Sequence, residues 1–155
     1  MNYHKQKGFT LVELMIVITV ILILSAVAIM TLNSSRAKAR DSKRLSDVRR
    51  LQTALEFFNA DENSYPIYDK IELGLPNSVK LCNRSAGSFI DASANCQITY
   101  MDGVPADPLP ASKLIYSSDG KGYDISFKTE TKTEVGPPGA YHAHTIGIDQ
   151  RSGVK

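Results

Sequence analysis

The residue that most clearly indicates chemistry is Glu13, an acidic side chain inside a long apolar run. The run extends from Phe9 to Leu32, and its other polar side chains are a few hydroxyl residues. A carboxylate at the centre of a membrane costs about 2.5–3.5 kcal/mol, and such residues are usually functional. Near the start of a helix the cost is smaller, because the helix dipole favours an anion there. Glu13 is therefore the first candidate site residue.

Cys82 and Cys96 are the only cysteines of the chain, and they allow a single bridge. A bridge across this short loop would contribute about 3 kcal/mol by restricting the unfolded chain. We expect the two to be bonded; the alternative is two buried free thiols. One cysteine pair fits an exported domain.

Candidate metal ligands are few and badly spaced. Asp107, Asp119 and Asp124 are candidate oxygen ligands for calcium, but their spacing matches no EF-hand loop, and turn chemistry explains Asp119 equally well. His142 and His144 would share one face of a strand, but no Cys or acidic residue lies at a zinc-like spacing. We therefore predict no cofactor, with calcium as the alternative, and surface positions for both histidines.

The sequence contains no residue set with catalytic spacing. It has no nucleophile elbow, no phosphate-binding glycine loop and no HExxH. The formal net charge is +2, and without Lys5 and Lys7 it would be 2 − 2 = 0, which argues against nucleic acid as the main partner. We predict a structural protein that is not an enzyme.

The elements that position these residues divide the chain into four stretches. Residues 1–8 are short, polar and basic, and residues 9–32 are long enough to span about 30 Å of hydrocarbon as a helix. Residues 33–63 are charged and amphipathic, and residues 64–155 are rich in Gly, Pro, Asn, Ser and Asp. The second and third stretches contain no Gly or Pro, so we predict one continuous helix that ends before Pro66.

In the amphipathic stretch the apolar side chains recur at steps of three and four, which puts them on one helix face. They are Leu45, Val48, Leu51, Leu55 and Phe58. We predict that this face packs on the C-terminal region. The other sides of the helix are expected to carry Arg44, Arg49, Arg50, Gln52 and Glu56.

The C-terminal region is predicted to contain a small antiparallel sheet. Residues 114–116 and 123–127 flank a Gly-rich loop in a hairpin pattern, and residues 145–148 form a late strand. Residues 71–110 contain both cysteines and four prolines, and we expect an irregular connection there. The fold class is α+β, a long N-terminal helix packed on a small antiparallel sheet.

The string Gly8-Phe9-Thr10-Leu11-Val12-Glu13 follows a short basic leader and opens the apolar run. It resembles the type III signal of type IV pilins and of the pseudopilins of type II secretion. The specific match covers about residues 5–32, and a weaker helical match continues to about residue 66. Residues 104–108 and the hairpin after them resemble the C-terminal region of major pseudopilins and related bacterial pilins.

The resemblance implies that a prepilin peptidase cuts between Gly8 and Phe9 and methylates the new amine of Phe9. It implies that Glu13 pairs with the N-terminal amine of a neighbouring subunit in a homo-oligomeric filament. An assembly ATPase and a membrane platform protein are the implied partners. The precursor is expected in the inner (cytoplasmic) membrane, and the mature chain in a cell-surface or periplasmic filament.

In such a filament the apolar halves of the helices are expected to bundle at the centre. This packing would bury the apolar helix surface that lipid covered before assembly. The side chains expected to carry this burial are Leu14, Ile16, Val17, Ile18, Val20, Ile21, Leu22, Ile23 and Leu24.

Several alternatives stay open. Glu13 could instead make an intrachain bond, since Phe9 is four residues away on the same helix face. Residues 26–28 resemble a small-residue cleavage site, which would release a soluble chain starting at Ile29. An uncleaved, single-span, membrane-anchored binding domain would keep Met1. The sequence also does not separate a pilus from a type II secretion pseudopilus.

A basic stretch follows the apolar run, and by the positive-inside rule alone it would be cytoplasmic. Its cations are Arg36, Lys38, Arg40, Lys43, Arg44, Arg49 and Arg50. The resemblance implies the opposite orientation, with the leader in the cytoplasm. We expect either a solvated helix face or contact with anionic headgroups or acidic surfaces of neighbours.

Overall fold

The computed structural model describes residues 8–151. The chain divides into two compact units, Met1–Arg36 and Ala37–Lys155. Helix α1 (Leu11–Glu62) contributes residues to both, and its lack of interruption confirms the prediction of one continuous helix. Most of the predicted leader, residues 1–7, lies outside the described residues.

Helix α1 ends through local backbone chemistry. Asn63, directly after the last helical residue, has a φ of 54°, and its amide donates to the carbonyl of Asn59 at 2.9 Å. Asparagine tolerates this left-handed conformation better than most residues, and it is a common helix terminator. Pro66 follows three residues later and prevents the helix from resuming.

The second unit contains a five-stranded sheet in which every neighbouring pair is antiparallel, in the order β1-β5-β6-β7-β8. The strands are β1 (Tyr68–Glu72), β5 (Ile115–Ser118), β6 (Tyr123–Thr129), β7 (Gly139–His144) and β8 (Gly147–Asp149). Strands β5 and β6 form the predicted hairpin, with Tyr116 opposite Ile125. Asp119 closes its loop by accepting bonds from two following backbone amides, at 2.9 and 3.1 Å.

The core of the second unit lies between helix α1 and this sheet. The five apolar helix residues predicted to face the C-terminal region are all buried, at most 5% exposed. Alternate residues of β6, namely Tyr123, Ile125 and Phe127, belong to the same buried cluster, as strand geometry requires of one sheet face. Each fully buried Leu, Val or Phe contributes about 1.5–3 kcal/mol, so the predicted helix face supplies much of the stability.

The prediction that residues 71–110 form an irregular connection is wrong. They contain β2 (Lys80–Cys82), β3 (Phe89–Ile90) and β4 (Thr99–Asp102), which form a second, antiparallel sheet in the order β3-β2-β4. Strands of two to four residues are too short to show an alternating sequence pattern. Leu81 and Phe89 nevertheless reach the main core.

Gly74 allows the turn after β1 to approach the loop that precedes β5. Its φ is +74°, and a Cβ at this position would lie 2.4 Å from the backbone nitrogen of Ala106. Only glycine satisfies both requirements.

The strand predicted at residues 145–148 overlaps β8 (Gly147–Asp149), and a longer strand that was not predicted, β7, precedes it. Strand β7 begins at Gly139 and pairs with β6, Phe127 lying opposite Tyr141. Thr145 and Ile146 form the turn into β8 rather than a strand. Two prolines directly before Gly139 suggested only a turn, and the alternation of Tyr141 and Ala143 into the core became visible with the tertiary structure.

Candidate functional site

The N-terminus of helix α1 is closed by a reciprocal capping arrangement. The amide and the hydroxyl of Thr10 each donate to Glu13 Oε2 at 2.8 Å. In return, the Thr10 hydroxyl oxygen accepts a bond from the Glu13 amide at 3.2 Å. This is the Thr-x-x-Glu capping box, which satisfies amides that the first helical turn leaves without partners.

The intrachain partner of Glu13 is therefore Thr10 and not Phe9. Sequence reasoning missed this contact, although the Thr-x-x-Glu spacing at a helix start was a visible signal for it. Both bonds use Oε2, and within residues 8–151 the other carboxylate oxygen, Oε1, has no hydrogen-bond donor. The capping box thus explains how Glu13 is tolerated in a single chain and leaves one oxygen available to a further donor.

The predicted cleavage position, between Gly8 and Phe9, precedes the helix in exposed chain. Phe9 is 88% exposed, and a Cβ placed on Gly8 would meet no atom within 4 Å. Non-helical, exposed backbone is the form that a protease can bind in extended conformation. As far as residues 8–151 show, both residues of this bond are exposed.

Within residues 8–151, no protein surface covers the apolar part of α1. All nine side chains expected to carry the burial in a filament are exposed, and α1 contains a segment long and apolar enough to cross a membrane, none of it buried within the chain. Single exposed apolar residues are ordinary, but a contiguous apolar surface of this extent marks a membrane or protein interaction site.

The hydroxyl groups within this apolar segment are satisfied internally. Thr19, Ser25 and Thr31 each donate to the backbone carbonyl four residues earlier, at 2.7, 2.7 and 3.1 Å. A hydroxyl without such a bond would be costly to bury in lipid or between helices. The polar side chains of the run after Glu13 therefore do not oppose either environment.

In the second unit, much of the basic stretch forms intrachain ion pairs. The Arg40 guanidinium binds the Glu130 carboxylate through two bonds, at 2.8 and 2.5 Å. Arg49 pairs with Glu134 at 2.6 Å. The side-chain hydrogen bond from Arg40 lowers the pKa of Glu130 below its ordinary value. The expected solvated helix face is thus partly neutralised by the segment after β6.

The prediction that Arg44 lies away from the core is wrong, because its side chain is fully buried. Its guanidinium donates to both oxygens of Asp107, at 2.6 and 2.7 Å, and to Asp41 at 2.5 Å. Asp41 also accepts bonds from the amides of Glu130 and Thr131. A buried guanidinium needs such partners, and the segments that supply Asp107 and the two amides are far from Arg44 in the sequence.

The expected disulfide between Cys82 and Cys96 is present, with a Cα–Cα distance of 5.9 Å. It connects β2 to the loop before β4 and so links the small second sheet to its longest connection.

The three candidate calcium ligands have separate partners. Asp107 binds Arg44, Asp119 caps the hairpin loop, and Asp124 lies 2.9 Å from Nδ1 of His142. Within residues 8–151 no group of three His, Cys, Asp or Glu side chains is placed to hold a metal ion. The prediction of surface histidines is wrong for His144, which is buried in β7, with Nε2 3.4 Å from Asp149.

The chain is similar to known bacterial proteins. Residues 3–29 match the model of the "Prokaryotic N-terminal methylation motif". The chain is 33% identical over 123 residues to the type II secretion system core protein G of Escherichia coli strain K12, covering 78% of this chain and 79% of that protein. No solved structure gives a significant match.

Relatives from both filament classes occur. The type II secretion system core protein G of Aeromonas hydrophila is 38% identical over 66 residues, which are 43% of this chain and 46% of that protein. The type IV wide pilus major component PilA4 of Thermus thermophilus is 38% identical over 104 residues, which are 63% of this chain and 75% of that protein.

Proposed function

Because the chain belongs to the family of type IV pilins and type II secretion pseudopilins, and is a filament subunit, we propose that it is cut between Gly8 and Phe9 and assembles through the apolar part of helix α1. The chain is made as a membrane-anchored precursor and then joins copies of itself. It is a structural protein, like its relatives.

The observation that carries this proposal is the uncovered apolar segment of α1. Its side chains are about half-exposed or more on every side of the helix, Ile18 and Leu24 included. Lipid covers such a surface in the precursor. Once the chain leaves the bilayer, the equivalent helices of other copies offer a comparable apolar environment. Exposing this apolar surface to water would cost about 25 cal/mol for each Å², and assembly avoids that cost.

Glu13 sets the register between copies. After the cut, the amine of Phe9 has a reference pKa of about 7.7–8.0, and methylation preserves its charge. At about 4 Å and an effective dielectric of about 20, its attraction to a carboxylate is roughly 4 kcal/mol before desolvation. Glu13 Oε1, which takes no bond from Thr10, is the acceptor for the amine of a neighbouring copy.

The remaining machinery follows from the family. A prepilin peptidase cuts and methylates the chain, and an assembly ATPase with a membrane platform protein drives filament growth. The precursor lies in the inner (cytoplasmic) membrane with residues 1–8 on its cytoplasmic side. The filament is a cell-surface pilus or a periplasmic pseudopilus. Deletion of the gene distinguishes the two: loss of surface fibres indicates a pilus, and loss of exported proteins indicates a pseudopilus.

Mass spectrometry of the mature chain tests processing. We expect an N-terminal, methylated Phe9, and no processing of a Gly8→Trp variant, because a bulky side chain obstructs the protease where glycine does not. A Ser34→Trp variant serves as the matched control, since Ser34 is also exposed and lies outside the signal.

Three other outcomes would contradict the proposal. An intact Met1 in the accumulated protein would support the uncleaved membrane-anchored domain. A chain that starts at Ile29 would support a secreted soluble domain. A Glu13→Gln variant that is processed and assembles as well as the natural chain would remove the role of the carboxylate, because glutamine keeps the size but not the charge.

A further inference from the structure

A basic groove lies on the outer side of α1 in the second unit. It has a volume of about 650 Å³ and runs between the helix and residues 131–134. Its cations are Lys38, Arg49, Arg50 and Lys132. Arg49 is paired with Glu134. Among the described residues, no carboxylate lies within salt-bridge distance of the other three.

The C-terminal end of α1 has the opposite charge. Glu56 and Asp61 are exposed, and Glu62 lies in the last turn. Glu56 accepts bonds from the hydroxyl of Tyr65 at 3.0 and 3.1 Å, and Asp61 accepts one from Tyr100 at 3.1 Å. These donors are neutral, so neither carboxylate has its charge compensated by them.

The acidic end of α1 is only partly compensated within one chain. A helix C-terminus carries about half a negative charge and favours Lys, Arg or His nearby. The last turn of α1 contains no basic residue. Burial and the hydrogen bond to Asp61 raise the pKa of Tyr100 to about 12, so its hydroxyl remains a neutral donor at physiological pH. Arg84 compensates Glu62, because its guanidinium lies 3.8 Å from that carboxylate and its amide donates to it at 3.1 Å. Glu56 and Asp61 remain as the acids of this end that have no cation beside them within residues 8–151, and they point to an external partner.

We propose that the basic groove of one copy binds the acidic end of α1 of a neighbouring copy in the filament. This inference rests on the proposed function, because a second copy must be adjacent. The two surfaces are complementary in sign, and the groove cations other than Arg49, like Glu56 and Asp61, have no ion-pair partner within residues 8–151. The interface is heterologous, since different patches of the same chain meet, and such contacts generate open filaments when the rotation does not close a ring.

A single axial displacement of neighbouring copies can bring the acidic end to the groove. Asp61 follows Arg50 by 11 residues. At about 1.5 Å per residue, a displacement of roughly 16 Å along the helix brings Asp61 of one copy level with Arg50 of its neighbour. The same displacement brings Glu56 level with Leu45, which lines the groove.

Charge reversal in the full-length chain, expressed in the organism that encodes it, tests the contact. The groove variant is Arg50→Glu with Lys132→Glu, the acidic variant is Asp61→Lys, and a third chain combines all three changes. The groove variant and the acidic variant, each changed on one side of the contact only, should lower the yield of sheared filaments about fivefold or more. Several weak exposed ion pairs are then lost at every interface. The combined chain should recover most of the yield, because opposite charges meet again.

Two exposed positions outside both patches provide matched controls. Lys128→Glu and Asp69→Lys make the same charge changes and should leave the filament yield unchanged. Filaments of the natural chain should shorten or dissociate at about 1 M salt, where the screening length falls to about 3 Å. Thermal unfolding of the isolated subunits should be nearly equal in all variants, since every altered side chain is exposed and the only described side-chain hydrogen bond lost is the exposed one from Tyr100 to Asp61.

The outcomes are separable. If neither single-sided variant lowers the yield, the contact does not exist, although the filament role stands. The proposal is overturned if the groove variant lowers the filament yield while Asp61→Lys assembles normally. It is also overturned if the combined chain does not recover the filament yield. In either case the groove binds another anion, such as lipid headgroups. If the natural chain keeps Met1 and stays monomeric, the proposed function itself fails.

Discussion

Replacing Asp107 by asparagine should destabilise the second unit far more than removal of an exposed charge. Asp107 and Arg44 have side chains that are 1% and 0% exposed, and two bonds of 2.6 and 2.7 Å connect them. Asparagine preserves the shape but not the charge. The Arg44 guanidinium would then remain buried with Asp41 as its close anion and Glu130 at 3.8 Å.

The magnitude follows from the burial of the pair. Removing one partner of a buried ion pair costs about 3–5 kcal/mol, since the other charge is left uncompensated. The lower end applies here, because Asp41 stays 2.5 Å from Arg44 and the asparagine oxygen still accepts one bond. A loss of about 3 kcal/mol is a large share of the roughly 5–15 kcal/mol typical of a small domain. The full-length Arg40→Met variant is the control, because this partly exposed cation pairs at the surface and its loss should lower the free energy of unfolding far less.

Urea unfolding of the full-length chain in mild detergent, with the disulfide kept oxidised, measures the difference. Far-ultraviolet circular dichroism reports the sheet and the second half of α1. With a slope of about 1–3 kcal/mol per molar urea, a loss of about 3 kcal/mol lowers the midpoint by roughly 1–3 M. The triple variant Asp41→Asn, Arg44→Met and Asp107→Leu should regain most of the stability, because it leaves no buried charge without its partner; Asp41 must be changed as well, since it is buried and pairs with Arg44.

The reasoning is refuted if Asp107→Asn and Arg40→Met shift the midpoint equally. It is also refuted if the triple variant is no more stable than Asp107→Asn alone, since the cost would then not arise from the uncompensated guanidinium.

Three further outcomes are expected from equilibrium unfolding. The hydrogen bond from Arg40 lowers the pKa of Glu130 in the folded protein. The ionised Glu130 side chain therefore stabilises the fold above its ordinary pKa of 4.5, and this stabilisation is lost as the pH falls through the lower folded pKa. Glu130→Gln should flatten the dependence of the unfolding free energy on pH in that acidic range. Replacing Cys82 and Cys96 by serine should cost about 3 kcal/mol, and added reductant should then have no further effect on the midpoint. Gly74→Ala should cost about 2 kcal/mol or more, because the left-handed backbone disfavours alanine and the new methyl group meets the adjacent loop; an unchanged midpoint would show that the loop moves freely.

The elements that local chemistry specifies were predictable from the residues alone. The helix follows from the absence of Gly and Pro, and its buried face follows from the spacing of Leu45, Val48, Leu51, Leu55 and Phe58, all of which lie in the core. The β5–β6 hairpin follows from apolar runs on either side of a Gly-rich loop. The family signal is likewise local, because its residues are consecutive.

The contacts that join distant segments were not predictable. Helical spacing places Arg44 beside Leu45 but does not show that the Arg44 side chain has a buried partner. That partner, Asp107, lies 63 residues away in the sequence. The strands of the second sheet are shorter than any alternating pattern that could reveal them. Strand β7 was not predicted. It pairs with β6 after the chain reverses direction, and the residues between the two strands do not indicate how long that connection is.

The sequence by itself therefore determined the signal, the apolar segment, the helix and its packing face, because each depends on residues within a few turns of one another. The tertiary structure decided which charges are buried, where the small sheet lies and which patches remain uncompensated. The physical reason is that a buried charge or a short strand is stabilised only by groups far away in the chain, and such partners meet only after the core has formed.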